Sequence, residues 1–286
     1  MSGRRSLALA VLAVLGLAVP PTAAGDKGGQ TCFGQPLTIR GTLRTDHIIG
    51  TPGRDVIDTF SGPDTVRGLG GDDRMQAGKS ADVVVGDAYA PTGVAEGHGR
   101  DHLDGGPKRD VEVGDALGLR GAVGTGSDNV EGEAGQDLMV GDADATGSGA
   151  TATGAASDHF FGDAGNDHIV GDSYAPHGTA IGAADDAGTG GRGGDRIVGD
   201  DAAAVAAVGV GGNDVFLGVR DDDLLIGDNE ALVPGASLRG GSDDFLRGGQ
   251  ADDRFRAGPG QDHCQGGTGH DSDLSQPACE QRGSIP

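Results

Sequence analysis

The chain has 286 residues, 58 of them Gly, with no Trp, 3% aromatics and a formal charge of −23. That balance excludes a basic nucleic-acid surface and a large aromatic-lined pocket. Beyond residue 24, Ile, Val, Leu and Phe together number 49, too few to offset the conformational entropy of so charged a chain, so composition alone predicts disorder. Collagen is excluded because Gly does not recur at every third position. The acids are skewed, 38 Asp against 6 Glu, and short carboxylates held near turns are what oxygen-ligand cation sites use.

Residues 1–24 read as a secretory signal peptide. Arg4 and Arg5 precede an apolar run from Leu7 to Val19, followed by Pro20, Pro21 and small residues. The run is shorter than the roughly 20 residues of a membrane-spanning helix, and no second one follows. The mature chain is therefore expected to be secreted, to lack a transmembrane segment, and to carry −25 once Arg4 and Arg5 are removed. Residues 25–44 form a lead-in to the repeats.

From 45 to 85 the aspartates fall nine apart, at Asp46, Asp55, Asp64, Asp73 and Asp82. Each nonamer reads as a Gly-rich turn closed by the Asp, then a very short strand with one inward apolar residue two positions later, such as Ile48, Ile57, Val66, Met75 and Val84. A strand of three residues cannot stand alone. Stacked on its equivalents it extends a parallel sheet, which is the logic of a solenoid. Two nonamers make a coil of 18 residues, and coils about 4.8 Å apart bring carboxylates 18 residues apart into proximity. Such a stack requires a cation between the turns, and Ca²⁺ suits many oxygen ligands better than Mg²⁺ does.

Between 86 and 243 the nonamer is overlaid by units of about 28 residues. The Asp pairs are Asp101 with Asp110, Asp128 with Asp137, Asp158 with Asp167, and Asp214 with Asp223, while Asp195 has a degenerate partner in Asp186. A string of apolar residue, Gly and Asp recurs at 85–87, 113–115, 140–142, 170–172, 198–200 and 226–228. Its Asp is either an extra ligand or a turn-former. The rest of each unit is a connection of small residues, AYAPTGVAEGHGR at 88–100 for example. It is either an excursion from an 18-residue coil or a third strand through Val94, Thr151, Thr179, Ala207 and Ser237. The near-constant length favours the three-sided or enlarged coil. Tyr89 and Tyr174, in matching connections, are a spacer or an exposed contact. His102, His159, His168 and His263, each next to a ladder Asp, are expected to face solvent.

Plain nonamers return from 239 to 274, at Asp244, Asp253, Asp262 and Asp271, and a tail covers 275–286. Cys264 and Cys279 are expected to close this end as a disulfide worth about 3 kcal/mol in the chain-entropy model. Cys32 is left free or available to pair between chains.

The nonamers GTPGRDVID (50–58), GLGGDDRMQ (68–76), GDAGNDHIV (162–170), AGPGQDHCQ (257–265) and GGTGHDSDL (266–274) resemble the GGxGxDxUx repeat of the RTX, or haemolysin-type, calcium-binding family. The resemblance covers about 45–274 and implies an all-β, right-handed parallel β-roll or β-helix solenoid of short strands with Gly/Asp turns. It implies that several Ca²⁺ ions are held by Asp46, Asp55, Asp64, Asp73, Asp82, Asp101, Asp128, Asp137, Asp158, Asp167, Asp195, Asp214, Asp223, Asp244, Asp253, Asp262 and Asp271. Asp110 is set aside because Lys108 stands at a Gly position and Glu112 at the apolar one.

There is no HExxH, no GxSxG and no phosphate-binding loop before a helix, so no enzyme is expected. The functional expectation is a secreted calcium-binding repeat protein that folds on meeting extracellular Ca²⁺. It would serve as a structural protein or associate with a cell surface or matrix. The alternative is a carbohydrate- or cell-wall-binding module that engages glycan through a flat outer face.

Overall fold

The computed structural model describes residues 31–209, 211–274 and 279, with the backbone of 281–283. The expected signal at 1–24, residues 25–30 and most of the 275–286 tail lie outside the described residues. Every regular element among the described residues is a strand, and no helix is long and apolar enough to cross a membrane.

Two long parallel sheets carry the repeat. The first stacks 39–40, 56–58, 74–76, 102–104 and onward to 281–283; the second stacks 47–49, 65–67, 83–85, 111–113 and onward to 272–273. Register is kept throughout, so that Ile57, Met75, Leu103, Val130 and Phe160 form one inward row. Ile48, Val66 and Val84 begin the facing row. Both rows meet in a single buried core. The chain is thus a parallel β-solenoid, and its strands are short because only one residue in each points inward.

At one coil the inward residue is Gly188, between Phe160 and Phe216. A methyl group there would lie 2.8 Å from Phe160 Cβ and 3.2 Å from Phe216 Cε1. The glycine leaves room for two rings whose centroids are 6.4 Å apart.

The 28-residue units contain neither a loose excursion nor a single third strand. Each connection forms two strands, which build a third sheet (88–90, 116–118, 143–145, 173–175, 202–203, 230–231) and a fourth (94–96, 121–124, 151–154, 179–181, 206–208, 237–239). Val94, Thr151, Thr179, Ala207 and Ser237 all lie in the fourth. The two sheets face each other across a core made of alanine, a side chain small enough for the sheets to approach closely. In a plain coil the turn runs from Gly68 to Asp73; in a unit the equivalent turn runs from Gly86 to Asp101, and the ten extra residues are the second lobe. Tyr89 and Tyr174 are neither spacer nor exposed contact: they pack with Val83, Val111 and Leu138 on the outer side of the second sheet, and so glue the lobe to the roll.

An antiparallel hairpin, 31–32 with 35–36, precedes the first coils, and the Phe33 ring lies 3.9 Å from that of His102. Cys32 in this hairpin is buried and unpaired. Burial, then Asp58 and Asp104, push its thiol up to about 12, which makes it unsuited to pairing between chains. At the other end Cys264 and Cys279 form a disulfide with 5.9 Å between Cα atoms.

Candidate metal centre: two aspartate ladders and a seam

Each nonamer ends its turn on an Asp whose side chain cannot reach its own strand but can reach the coil beside it. The backbone N–H of each ladder Asp donates to Oδ1 of the Asp one coil on. Before the first sheet the series runs from Asp55 through Asp73, Asp101, Asp128, Asp158, Asp186, Asp214 and Asp244 to Asp262, at 2.6 to 3.1 Å. Before the second it runs from Asp46 through Asp64, Asp82, Asp110, Asp137, Asp167, Asp195, Asp223 and Asp253 to Asp271, at 2.6 to 3.0 Å. All seventeen expected ligands stand in these two ladders.

So do the two aspartates that the repeat pattern set aside. Asp110 accepts from Asp82 and donates to Asp137 Oδ1, and Asp186 links Asp158 to Asp214. The nonamer pattern hid them because their apolar partners are replaced by Glu112 and Gly188. The signal that finds Asp186 is the 28-residue step on either side, to Asp158 and to Asp214.

Oδ1 is used, but Oδ2 is not. From Asp64 to Asp271, Oδ2 is buried without a hydrogen-bond partner at most ladder positions, Asp73, Asp110, Asp158, Asp195 and Asp244 among them. At most of these positions the oxygen lies against the Gly that closes the preceding strand, and a methyl group at Gly68 would collide with both Asp73 Oδ2 and the Gly86 carbonyl oxygen. The strand-closing glycines are therefore the wall of the site. Asp46 and Asp55, at the first coils, differ. Thr42 and Thr51 donate to their Oδ2 from both the backbone N–H and the hydroxyl, at 2.6 and 3.0 Å in each case, so protein donors end the row.

Burial is the first cause of the electrostatics. It raises Asp73 and Asp82 to about 6, Asp137 to about 7 and Asp110 to about 8, against the opposing effect of the backbone N–H from the previous coil. Ion pairs join His102 to Glu131, 2.9 Å apart, and Arg196 to Glu230; neither involves a ladder carboxylate. Stacked, buried, unpaired carboxylate oxygens beside glycine carbonyls form an all-oxygen donor set, the chemistry of a hard cation of the calcium class.

A third acidic row accompanies the first ladder through the middle units. The aspartates of the apolar-Gly-Asp strings, Asp87, Asp115, Asp142, Asp172, Asp200 and Asp228, are all buried. They alternate with ladder aspartates along the junction of roll and lobe, a seam of carboxylates. Glu112 is the other acid in an unexpected place. It occupies the inward row of the second sheet, fully buried, with both oxygens unpartnered and Oε1 against Gly105. His168, expected to face solvent, is half-buried with its ring 5.4 Å from Tyr174, and burial and Arg196 push it down to about 4.

A parallel β-solenoid whose turns stack orphaned carboxylates coil upon coil defines a class of metal-binding repeat protein. The model of the RTX calcium-binding nonapeptide repeat (4 copies) matches residues 40–62, 58–88, 122–145, 152–173 and 239–273. These segments carry RTX calcium-binding nonapeptide repeats, and repeats of that family bind calcium. No curated protein matches it significantly. Residues 174–238 fall outside the matched segments, yet both hydrogen-bonded ladders run through them unbroken.

Proposed function

We propose that this is a secreted protein of structural or surface-associated role, without catalytic activity, that folds when its ladder aspartates bind extracellular Ca²⁺. The observation that carries the reading is the row of buried, unpartnered Oδ2 atoms from Asp64 to Asp271. Without a cation these oxygens oppose one another in a chain poor in large apolar side chains. With Ca²⁺ between coils, ligation energy becomes folding energy. The signal-like residues 1–24 support export into a calcium-rich setting. A non-catalytic role is supported by the repetition itself, since each acidic turn resembles the next and no set of side chains is singled out for chemistry. Affinity per site is expected on the order of 10⁻⁴ to 10⁻³ M, as for extracellular modules, with cooperativity along the stack.

Circular dichroism with and without chelator tests this. The expected result is a disordered spectrum in excess EDTA and a strand-rich one in millimolar Ca²⁺. A strand-rich spectrum that EDTA leaves unchanged overturns the reading.

A further inference from the structure

In a plain turn the residue after the strand-closing Gly swings the chain with positive φ, as Leu69 (+81°), Glu133 (+60°) and Asp163 (+62°) do. There Asp163 and Glu133 are exposed. The Asp of each apolar-Gly-Asp string holds the same position but starts the second lobe instead, and its carboxylate is enclosed between lobe and roll. Asp87 is 1% exposed with neither oxygen partnered, and Asp200 is 0% exposed in the same state. Asp142, Asp172 and Asp228 each keep one orphan oxygen; the other accepts from Ala156 N–H, Ala184 N–H and the Ser242 hydroxyl respectively. Closing the lobe's return turn thus uses half of each of these three carboxylates, while Asp115 uses both oxygens, accepting from Gly99 and Gly126 N–H.

Asp87, Asp101 and Asp115 each bring one carboxylate oxygen within 4.8 Å of the other two. Asp101 Oδ2 is itself buried without a partner. The same order recurs in sequence, with Asp115 and Asp142 around Asp128 and Asp142 and Asp172 around Asp158, but among the described residues the oxygens converge this closely at Asp87, Asp101 and Asp115 alone. We propose that the seam between roll and lobe holds an internal divalent-cation site, built from the ladder Asp101 with Asp87 and Asp115 on either side, and filled by Ca²⁺. Three carboxylates converging in a buried space supply more charge than a plain turn does, and leave fewer positions for water. In the strings at 85–87 and 113–115 every residue then has a role: Val fills the core, Gly admits the ladder Oδ2, and Asp ligates inside.

The inference rests on the calcium-dependent folding proposed above. The full chain carrying Asp87→Asn is compared with wild type by equilibrium dialysis against CaCl₂ and metal analysis. Asn keeps the shape of the side chain but removes the charge. The expected result is a lower Ca²⁺ stoichiometry at saturation with a strand-rich spectrum retained. An unchanged stoichiometry overturns the internal site. A wild type that binds no Ca²⁺ overturns instead the reading on which the site depends. Should the variant not fold, Tb³⁺ luminescence lifetimes of wild type decide. A water-poor population beside a hydrated one is expected, and a hydrated population alone overturns the proposal.

Discussion

The plain coils at the two ends and the enlarged coils in the middle are made from the same nonamer, yet they treat their carboxylates differently. In the plain coils burial raises Asp73 and Asp82 only to about 6 and Asp253 to about 7. In the enlarged coils a lobe inserted in one turn roofs over the first ladder. There burial, with Asp128 as the next cause, raises Asp101 to about 10, and burial with Asp200 raises Asp214 to about 9. One insertion of ten residues adds an alanine core and, with it, a buried acidic seam. The lesson is that burial in this fold is added from outside the repeat, by what is laid over a turn.

The largest effect that tests this contrast is the pH dependence of the calcium-free chain. A buried Asp whose pKa is raised binds its proton more readily folded than unfolded. It contributes stability below the ordinary Asp value of about 4, lost as pH rises through the folded value. In EDTA, structure is therefore expected to be gained on acidification from pH 8 toward 4. The loss on raising pH should be complete near 6 around Asp73 and Asp82 and only at higher pH in the seam. Hydrogen exchange resolved by segment measures it, and equal behaviour of the two regions would remove the distinction. In millimolar Ca²⁺ the dependence between pH 6 and 8 should flatten, since the cation replaces the protons.

Glycine substitutions come next. Gly141→Ala places a methyl group against Asp158 Oδ2 and the Gly171 carbonyl oxygen, whereas Gly53→Ala meets nothing within 4 Å. The first should cost about 1–3 kcal/mol or more, as overpacking does, and the second should stay within about 0.5 kcal/mol. Thermal melts in Ca²⁺ separate them. A neutral Gly141→Ala would mean the turns can spread.

Glu112→Leu removes a buried, unpaired carboxylate from a row otherwise filled by Val84 and Met139. It should stabilise the calcium-free state at neutral pH by about 1–3 kcal/mol. A loss of stability in EDTA would show that the carboxyl is needed where it lies. The smallest effect belongs to the cap: Thr51→Val deletes one hydroxyl bond to Asp55 and should cost about 0.5–1.5 kcal/mol, leaving the enlarged coils untouched. Melting in Ca²⁺ with exchange read near residues 50–58 checks that confinement.

Much of the site was legible before any coordinates. The nine-residue step of Asp46 to Asp82 and the apolar residue two places on carry the solenoid, because each nonamer closes its own turn and presents one side chain inward. Asp110 and Asp186 were lost to a rule that asked every ladder Asp for an apolar partner. The structure shows that the rule belongs to the core and not to the ladder, since the hydrogen bond from one Asp N–H to the next Oδ1 is indifferent to whether Glu112 or Gly188 follows. The capping of Asp46 and Asp55 by Thr42 and Thr51 was equally hidden, because a cap is defined by having no further coil beside it.

The sequence by itself determined the period, the parallel stacking, the inward row and the ladder positions, since all of these follow from spacing that repeats every 9 or about 28 residues. Only the tertiary structure decided what the connections become. Their small residues pair not with neighbours in sequence but with the same residues 27 to 30 positions away, as Val94 does with Gly121 and Gly121 with Thr151. Whether an Asp after a strand-closing Gly is solvated like Asp163 or enclosed like Asp87 depends on the sheet that lies over it. That covering is a property of stacked coils, and no window along the chain contains it.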